Sequence, residues 1–138
     1  MKAMNQPILV VEDDDVDVMT IQRAFKEIRV LNPVVRQENG EMAIDYLRDP
    51  SNATPCIILL DLNMPVMSGI EFLEIIKADE NLRRIPVIVL TTSQEQEDKI
   101  NSFNFSVAGY MAKPVDYRRF VDVMRSIDVY WSLSELPQ

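Results

Sequence analysis

The most constraining feature of this chain is the stretch Pro55-Cys-Ile-Ile-Leu-Leu-Asp61-Leu-Asn-Met-Pro65. An unbroken apolar run is bounded by proline on one side and ended by a single carboxylate on the other. Runs of this kind, apolar on both parities and bounded by proline, read as strands buried on both faces, as in a parallel sheet covered by helices. Asp61 then stands at the carboxyl end of a central strand, the edge at which open α/β sheets place their ligands. A carboxylate in that position needs partners.

The rest of the chain repeats the pattern. Ile8-Leu-Val-Val11 is a short buried strand ending in the acidic run Glu12-Asp-Asp-Asp15. Val18, Ile21, Phe25 and Ile28 then mark one face of a helix, capped by one of Asp13 to Asp15, whose short carboxylates accept from first-turn N–H groups. Val34-Val35 opens a weaker strand, Asn39-Gly40 is a turn, and Met42, Ala43, Tyr46 and Leu47 give a short helix stopped by Asp49-Pro50. After the loop at 49–55 and the strand ending at Asp61, Gly69 opens a third helix bearing Phe72, Leu73 and Ile76. Val87-Ile-Val-Leu90 is a fourth strand, ending in Thr91-Thr-Ser93. Residues 94–104 form a helix with a polar start and with Ile100 and Phe103 as core anchors. Val107 to Met111 is a fifth strand ending at Lys113-Pro114, and the last helix runs from near Asp116 to about Trp131.

Five strands alternating with five helices predict an α/β domain built on a parallel five-stranded sheet. Right-handed crossovers put helices on both faces, and the flavodoxin-like order 2-1-3-4-5 is the leading topology. At 138 residues the chain is expected to be one domain, over 5–131, with 132–138 as a tail.

Charge and composition narrow the function. With 14 basic and 22 acidic residues the net charge is −8, which argues against a non-specific binder of nucleic acid or anionic membrane. No apolar stretch approaches the roughly 18 residues of a membrane span, and no signal peptide opens the chain. The single Cys56 is expected in the core, and a cytoplasmic setting follows. Histidine is absent, which removes His-based metal sites and His general bases together.

In a parallel sheet the residues that follow the strands share one edge: Glu12 and Asp13, Asp61, Thr91, and Lys113. Three carboxylates there repel one another by roughly 4 kcal/mol per close pair at ~4 Å and an effective dielectric of ~20. One lysine does not balance them, so either protons are retained or a cation binds. Mg²⁺ takes one or two carboxylates plus water and phosphate oxygens, which reads the crevice as a Mg²⁺ site open to an oxyanion, with Lys113 and the Thr91 hydroxyl as donors. An aspartate beside such an ion is a recognised nucleophile in phosphoryl transfer. Singly, an acidic run is most often a cap and a Lys-Pro pair is uninformative; their joint occurrence at the strand ends reverses that reading.

Four motifs carry a resemblance: Ile8-Leu-Val-Val-Glu-Asp-Asp14, Leu60-Asp-Leu-Asn-Met-Pro65 with Gly69, Pro86-Val-Ile-Val-Leu-Thr-Thr92, and Gly109-Tyr-Met-Ala-Lys-Pro114. In this order and spacing the chain resembles the CheY-like receiver domain of two-component response regulators over nearly its whole length. The resemblance implies Asp61 as phospho-acceptor, with Mg²⁺ held by Asp13, Glu12, Asp61 and the backbone carbonyl of Asn63. It also implies Thr91 as the switch hydroxyl, Lys113 as ion-pair partner, Tyr110 as the aromatic that changes rotamer, and a cis Lys113-Pro114 bond. Asn63 and Ser93 fall where this family tunes dephosphorylation.

No output segment is read after residue 131, so a stand-alone receiver signalling by protein association is expected. Tyr130-Trp-Ser-Leu-Ser-Glu-Leu-Pro137 and the long 49–55 loop are similar to small regulators paired with phytochrome histidine kinases. The implied partners are a sensor histidine kinase, and a downstream protein or a histidine phosphotransfer protein if the chain is a relay shuttle. In the last helix Phe120, Met124, Ile127 and Trp131 belong to a core stripe that Val123 and Tyr130 widen. These six residues are the expected surface for a homodimer or partner; the alternative is a broad core face. An aspartyl-phosphate phosphatase is the competing enzyme reading. Those of the haloacid-dehalogenase type want Asp-x-Asp, and here Asp61 is followed by Asn63, so no enzyme acting on a separate substrate is expected. A flavin or nucleotide binder on the same fold would need a phosphate loop where Glu12 to Asp15 stand.

Overall fold

In a computed structural model the chain is described over residues 6–64 and 66–134, with side chains as far as Ser126. Ten elements alternate: β1 (Ile8–Val11), α1 (Asp15–Glu27), β2 (Val34–Gln37), α2 (Gly40–Arg48), β3 (Ile57–Asp61), α3 (Gly69–Ala78), β4 (Val87–Thr91), α4 (Gln94–Phe103), β5 (Gly109–Ala112) and α5 (Tyr117–Ser134). All strands are parallel, in the order β2-β1-β3-β4-β5.

Strand periodicity of two splits the core in two. Ile8, Val10, Ile57, Leu59, Ile88 and Leu90 face α1 and α5, where Ile21, Phe25, Phe120 and Met124 meet them. Leu9, Val11, Ile58, Leu60, Val87 and Val89 face the opposite way, against Ile44, Phe72, Leu73, Ile76 and Ile100. The rings of Phe25 and Phe120 meet edge to face, 5.4 Å apart at 78°. Because β1, β3 and β4 are buried on both faces, their polar ends alone interrupt an apolar slab.

Caps place the helix starts. Asp14 is the N-cap of α1, accepting from the N–H groups of Val16 and Asp17, while Asn39, Ser68 and Ser93 cap α2, α3 and α4. Gly69 has a steric reason to be glycine. A Cβ there would stand 2.7 Å from Leu62 Cα and 2.9 Å from the Asp61 carbonyl, so α3 sits directly on the backbone that follows β3.

Four local expectations change. Phe103 is half-exposed and stacks on Phe105, because α4 turns only Ile100 fully inward. The fifth strand is Gly109–Ala112 rather than Val107 to Met111. Cys56 precedes β3 and is half-buried, with its thiol near the Gln6 carbonyl and the Asn32 side chain. The last helix continues to Ser134, through residues expected to begin a tail.

Candidate functional site

Parallel pairing delivers the strand ends to one edge: Val11 pairs with Leu60, Asp61 with Leu90, and Thr91 with Ala112. Glu12, next after β1, and Asp61, the last residue of β3, are both fully buried. Asp13 is exposed beside them, and one carboxylate oxygen from each of Glu12, Asp13 and Asp61 lies within 4.8 Å of the others. The Lys113 ammonium reaches into the same space, 2.8 Å from Glu12 Oε1, 3.2 Å from Asp61 Oδ2 and 3.3 Å from Asp17 Oδ2.

Burial dominates the electrostatics. It pushes the Glu12 carboxyl up to about 8, with the bond from Lys113 pulling down and the neighbouring Asp61 adding to the rise. Burial alone would lower the Lys113 ammonium, but bonds to Glu12 and the Asp61 charge outweigh it and hold the lysine raised, firmly protonated. Glu12 Oε1 and Asp61 Oδ2 are buried without a hydrogen bond of good geometry, although the lysine is close to both. Orphaned buried carboxylate oxygens beside an exposed third acid are the donor set a hard divalent cation takes. The residues present fit one.

Residues 8–125 match the family of the response regulator receiver domain. The chain belongs to that family. Among curated relatives, the probable methanogenesis regulatory protein FilR2 of Methanothrix harundinacea is 36% identical, over 90% of this chain and 82% of that protein. Response regulator Rcp1 of Synechocystis is 33% identical, over 90% of this chain and 87% of its own. Among solved structures, the bacteriophytochrome response regulator RtBRR superposes with a TM-score of 0.79 at 36% identity, covering 89% of this chain and 78% of that one. The phosphorylated cyanobacterial phytochrome response regulator RcpA gives 0.77 at 36%, covering 92% and 94%. The Mn²⁺-bound form of Rcp1 gives 0.77 at 31%, covering 96% and 97%. The fold is the flavodoxin-like receiver fold, and the chain is a receiver-domain response regulator of two-component signalling.

Within this receiver, Asp17 is a further member of the pocket, one that stands at no strand end. It is buried in α1, its Oδ1 accepts from the Val115 N–H at 3.1 Å, and its Oδ2 faces Lys113. One carboxylate thus holds both sides of the cis Lys113-Pro114 bond. The signal was present: Asp17 precedes Ile21 by four residues and Ala24 by seven, which puts a carboxylate on the apolar face of the helix.

Asn63 donates its backbone N–H to Asp61 Oδ1 at 3.0 Å. Thr91 is buried, and its hydroxyl is bonded towards α4: it lies 2.7 Å from Gln96 Oε1 and 3.0 Å from the Ser93 carbonyl. The Tyr110 hydroxyl donates to Asn101 Oδ1 on α4 at 2.7 Å. Val66, between Asp61 and α3, holds φ 71, a strained conformation for a β-branched residue.

The expected interface fares differently. Phe120 and Met124 are buried in the core at 0% and 4% exposure, because α5 turns that stripe onto the sheet and α1, so neither is available to a partner. Val123 is half-buried and lines an open hollow of about 290 Å³ with Glu97, Tyr110 and Arg119. Ile127, Tyr130 and Trp131 lie outside the described side chains.

Proposed function

We propose that this receiver accepts a phosphoryl group on Asp61 from the phosphohistidine of a sensor histidine kinase. The carrying observation is the meeting of Glu12, Asp13 and Asp61 oxygens within 4.8 Å beside the Lys113 ammonium. The Asp61 carboxylate attacks phosphorus, the phosphorus–nitrogen bond breaks, and the imidazole leaves. Water later hydrolyses the acyl phosphate and returns the carboxylate.

Mg²⁺, held by Glu12, Asp13, Asp61 and the Asn63 carbonyl, would neutralise charge on the transferring group. Lys113, fixed by Glu12 and Asp17, supplies a permanent positive charge beside Asp61. Asn63 orients the carboxylate through its N–H. Thr91 gives the phosphoryl group a hydroxyl to recruit, and Tyr110 follows it. The protein is a stoichiometric acceptor, not an enzyme turning over a separate substrate.

The likeness to the phytochrome response regulators RtBRR and RcpA supports a phytochrome-type kinase as donor, and the likeness to Mn²⁺-bound Rcp1 supports a divalent ion at the acidic pocket. A cytoplasmic setting accords with this donor, and among the described residues no helix is long and apolar enough to cross a membrane.

Incubation with Mg²⁺ and acetyl phosphate, read by intact mass, tests the reading. Wild type gains one phosphoryl group, while Asp61→Asn and chelator-treated wild type gain none. Equal labelling of wild type and Asp61→Asn would refute it.

A further inference from the structure

The first turn of α4 carries a hydrogen-bonded ring that the acceptor chemistry does not use. Gln96 Oε1 accepts from the Thr91 hydroxyl at 2.7 Å, the Thr92 N–H at 3.0 Å and the Thr92 hydroxyl at 3.2 Å. Gln96 Nε2 donates to Asn63 Oδ1 at 2.7 Å, and Asn63 Nδ2 donates to the Thr92 hydroxyl at 3.2 Å. The amide orientation is fixed by chemistry, since the Thr92 N–H can only donate and so must face the oxygen. Three side chains from the loop after β3, the loop after β4 and the start of α4 therefore close on one another.

Ser93-Gln-Glu-Gln96 is a capping box, in which the fourth residue ordinarily reaches back to the N–H of the capping serine. Here Ser93 Oγ accepts from the Gln96 N–H at 3.2 Å as expected. The return bond is displaced, however. The Ser93 N–H donates to Thr91 Oγ1 at 3.2 Å, and Gln96 is thereby free to take the Thr91 proton. Thr91 is thus built into the cap of α4 twice, as acceptor and as donor.

We propose that Gln96 is a positioning residue that latches Thr91 in the resting state. A hydroxyl has one proton. While Gln96 Oε1 holds it, as the nearer of two acceptors at 2.7 Å against 3.0 Å for the Ser93 carbonyl, a phosphoryl oxygen on Asp61 must compete for it, and when Thr91 moves, the Ser93 N–H loses its acceptor as well. The latch therefore couples occupancy of Asp61 to the first turn of α4. A contact made only in the resting state must weaken whatever binds the other state, by the same factor. This inference rests on Asp61 being the phospho-acceptor.

The test uses beryllofluoride with Mg²⁺, titrated calorimetrically into the full chain. Removing one hydrogen bond of this kind predicts that Gln96→Ala binds beryllofluoride about fivefold more tightly than wild type. In a Thr91→Val background, where there is no hydroxyl to latch, Gln96→Ala changes nothing. Gln96→Met, which keeps the length of the side chain, repeats the result should alanine fray α4. Equal affinity of wild type and both Gln96 variants overturns the latch, as does an equal gain with and without the Thr91 hydroxyl. Failure of wild type itself to bind beryllofluoride overturns the acceptor reading, and the latch with it.

Discussion

Helices α1 and α4 leave the same edge of the sheet, after β1 and β4, and are held in opposite ways. Along its 13 residues α1 buries Val18, Ile21, Ala24 and Phe25, and adds Asp17, which fixes Lys113 and Val115. Along its 10 residues α4 buries Ile100 alone and is otherwise held by polar bonds, through Ser93, through Gln96, and from Tyr110 to Asn101. Apolar burial resists local opening, whereas exposed polar bonds yield at low cost. The acid pocket thus stands on the firm side, where carboxylates must be kept together against repulsion. The switch residues stand on the soft side, where a rearrangement is affordable.

The largest test of that contrast pairs two phenylalanines. Phe120→Ala, which opens the core between α1 and α5, is expected to cost about 4 kcal/mol. Phe103→Ala, on exposed α4, is expected to cost less than about 1 kcal/mol. Equal losses in chemical denaturation would erase the difference between the two sides.

Asp17→Ala comes next. It leaves the buried Val115 N–H without an acceptor and frees Lys113 from one of its three carboxylates, at about 2–3 kcal/mol. Phosphorylation by acetyl phosphate should slow with it, because Lys113 is then placed by Glu12 and Asp61 without the brace from α1. A variant as stable as wild type would show that the pocket is not braced from α1.

A smaller effect follows pH. The buried Glu12 carboxyl keeps its proton up to about 8, against 4.5 in the open chain. Between those values the folded protein binds more protons than the unfolded one, so metal-free stability falls as pH rises through the window. Mg²⁺ competes with that proton, so its affinity rises over the same window and the ion restores the lost stability. Thermal melts in chelator and in Mg²⁺ check both signs. A metal-free stability that climbs with pH there would contradict the account.

What was legible in the sequence follows the same division. Long apolar runs such as Ile57–Leu60, each cut off by one polar residue, mark both the strands and the residues they deliver. The acid pocket could therefore be assembled from strand ends alone, apart from Asp17, which hides inside a helical pattern. The soft side has no such grammar. Phe103 follows Ile100 by three residues and mimics a core pair, yet the helix ends at Asn104 in a left-handed turn, φ 57, with the ring outside. Gln96 sits in a polar helix start where any residue solvates equally well, and its partners appear only once the loop after β3 is brought against the segment that leads from β4 into α4. The buried half of α5 was legible as a stripe, yet the same stripe was also expected at a partner surface, and Phe120 and Met124 are taken up by the core instead.

The central claim, that the pocket is rigid and the response is carried by α4, is tested most directly by amide hydrogen exchange with and without Mg²⁺ and beryllofluoride. The expected result is a change in local opening concentrated at residues 91–104, beginning at the Thr91, Ser93 and Gln96 cap, with β1, β3 and α1 showing only the uniform slowing that binding to the folded state brings. No change at 91–104 beyond that uniform slowing, or a local response in α1 with α4 silent, would contradict it.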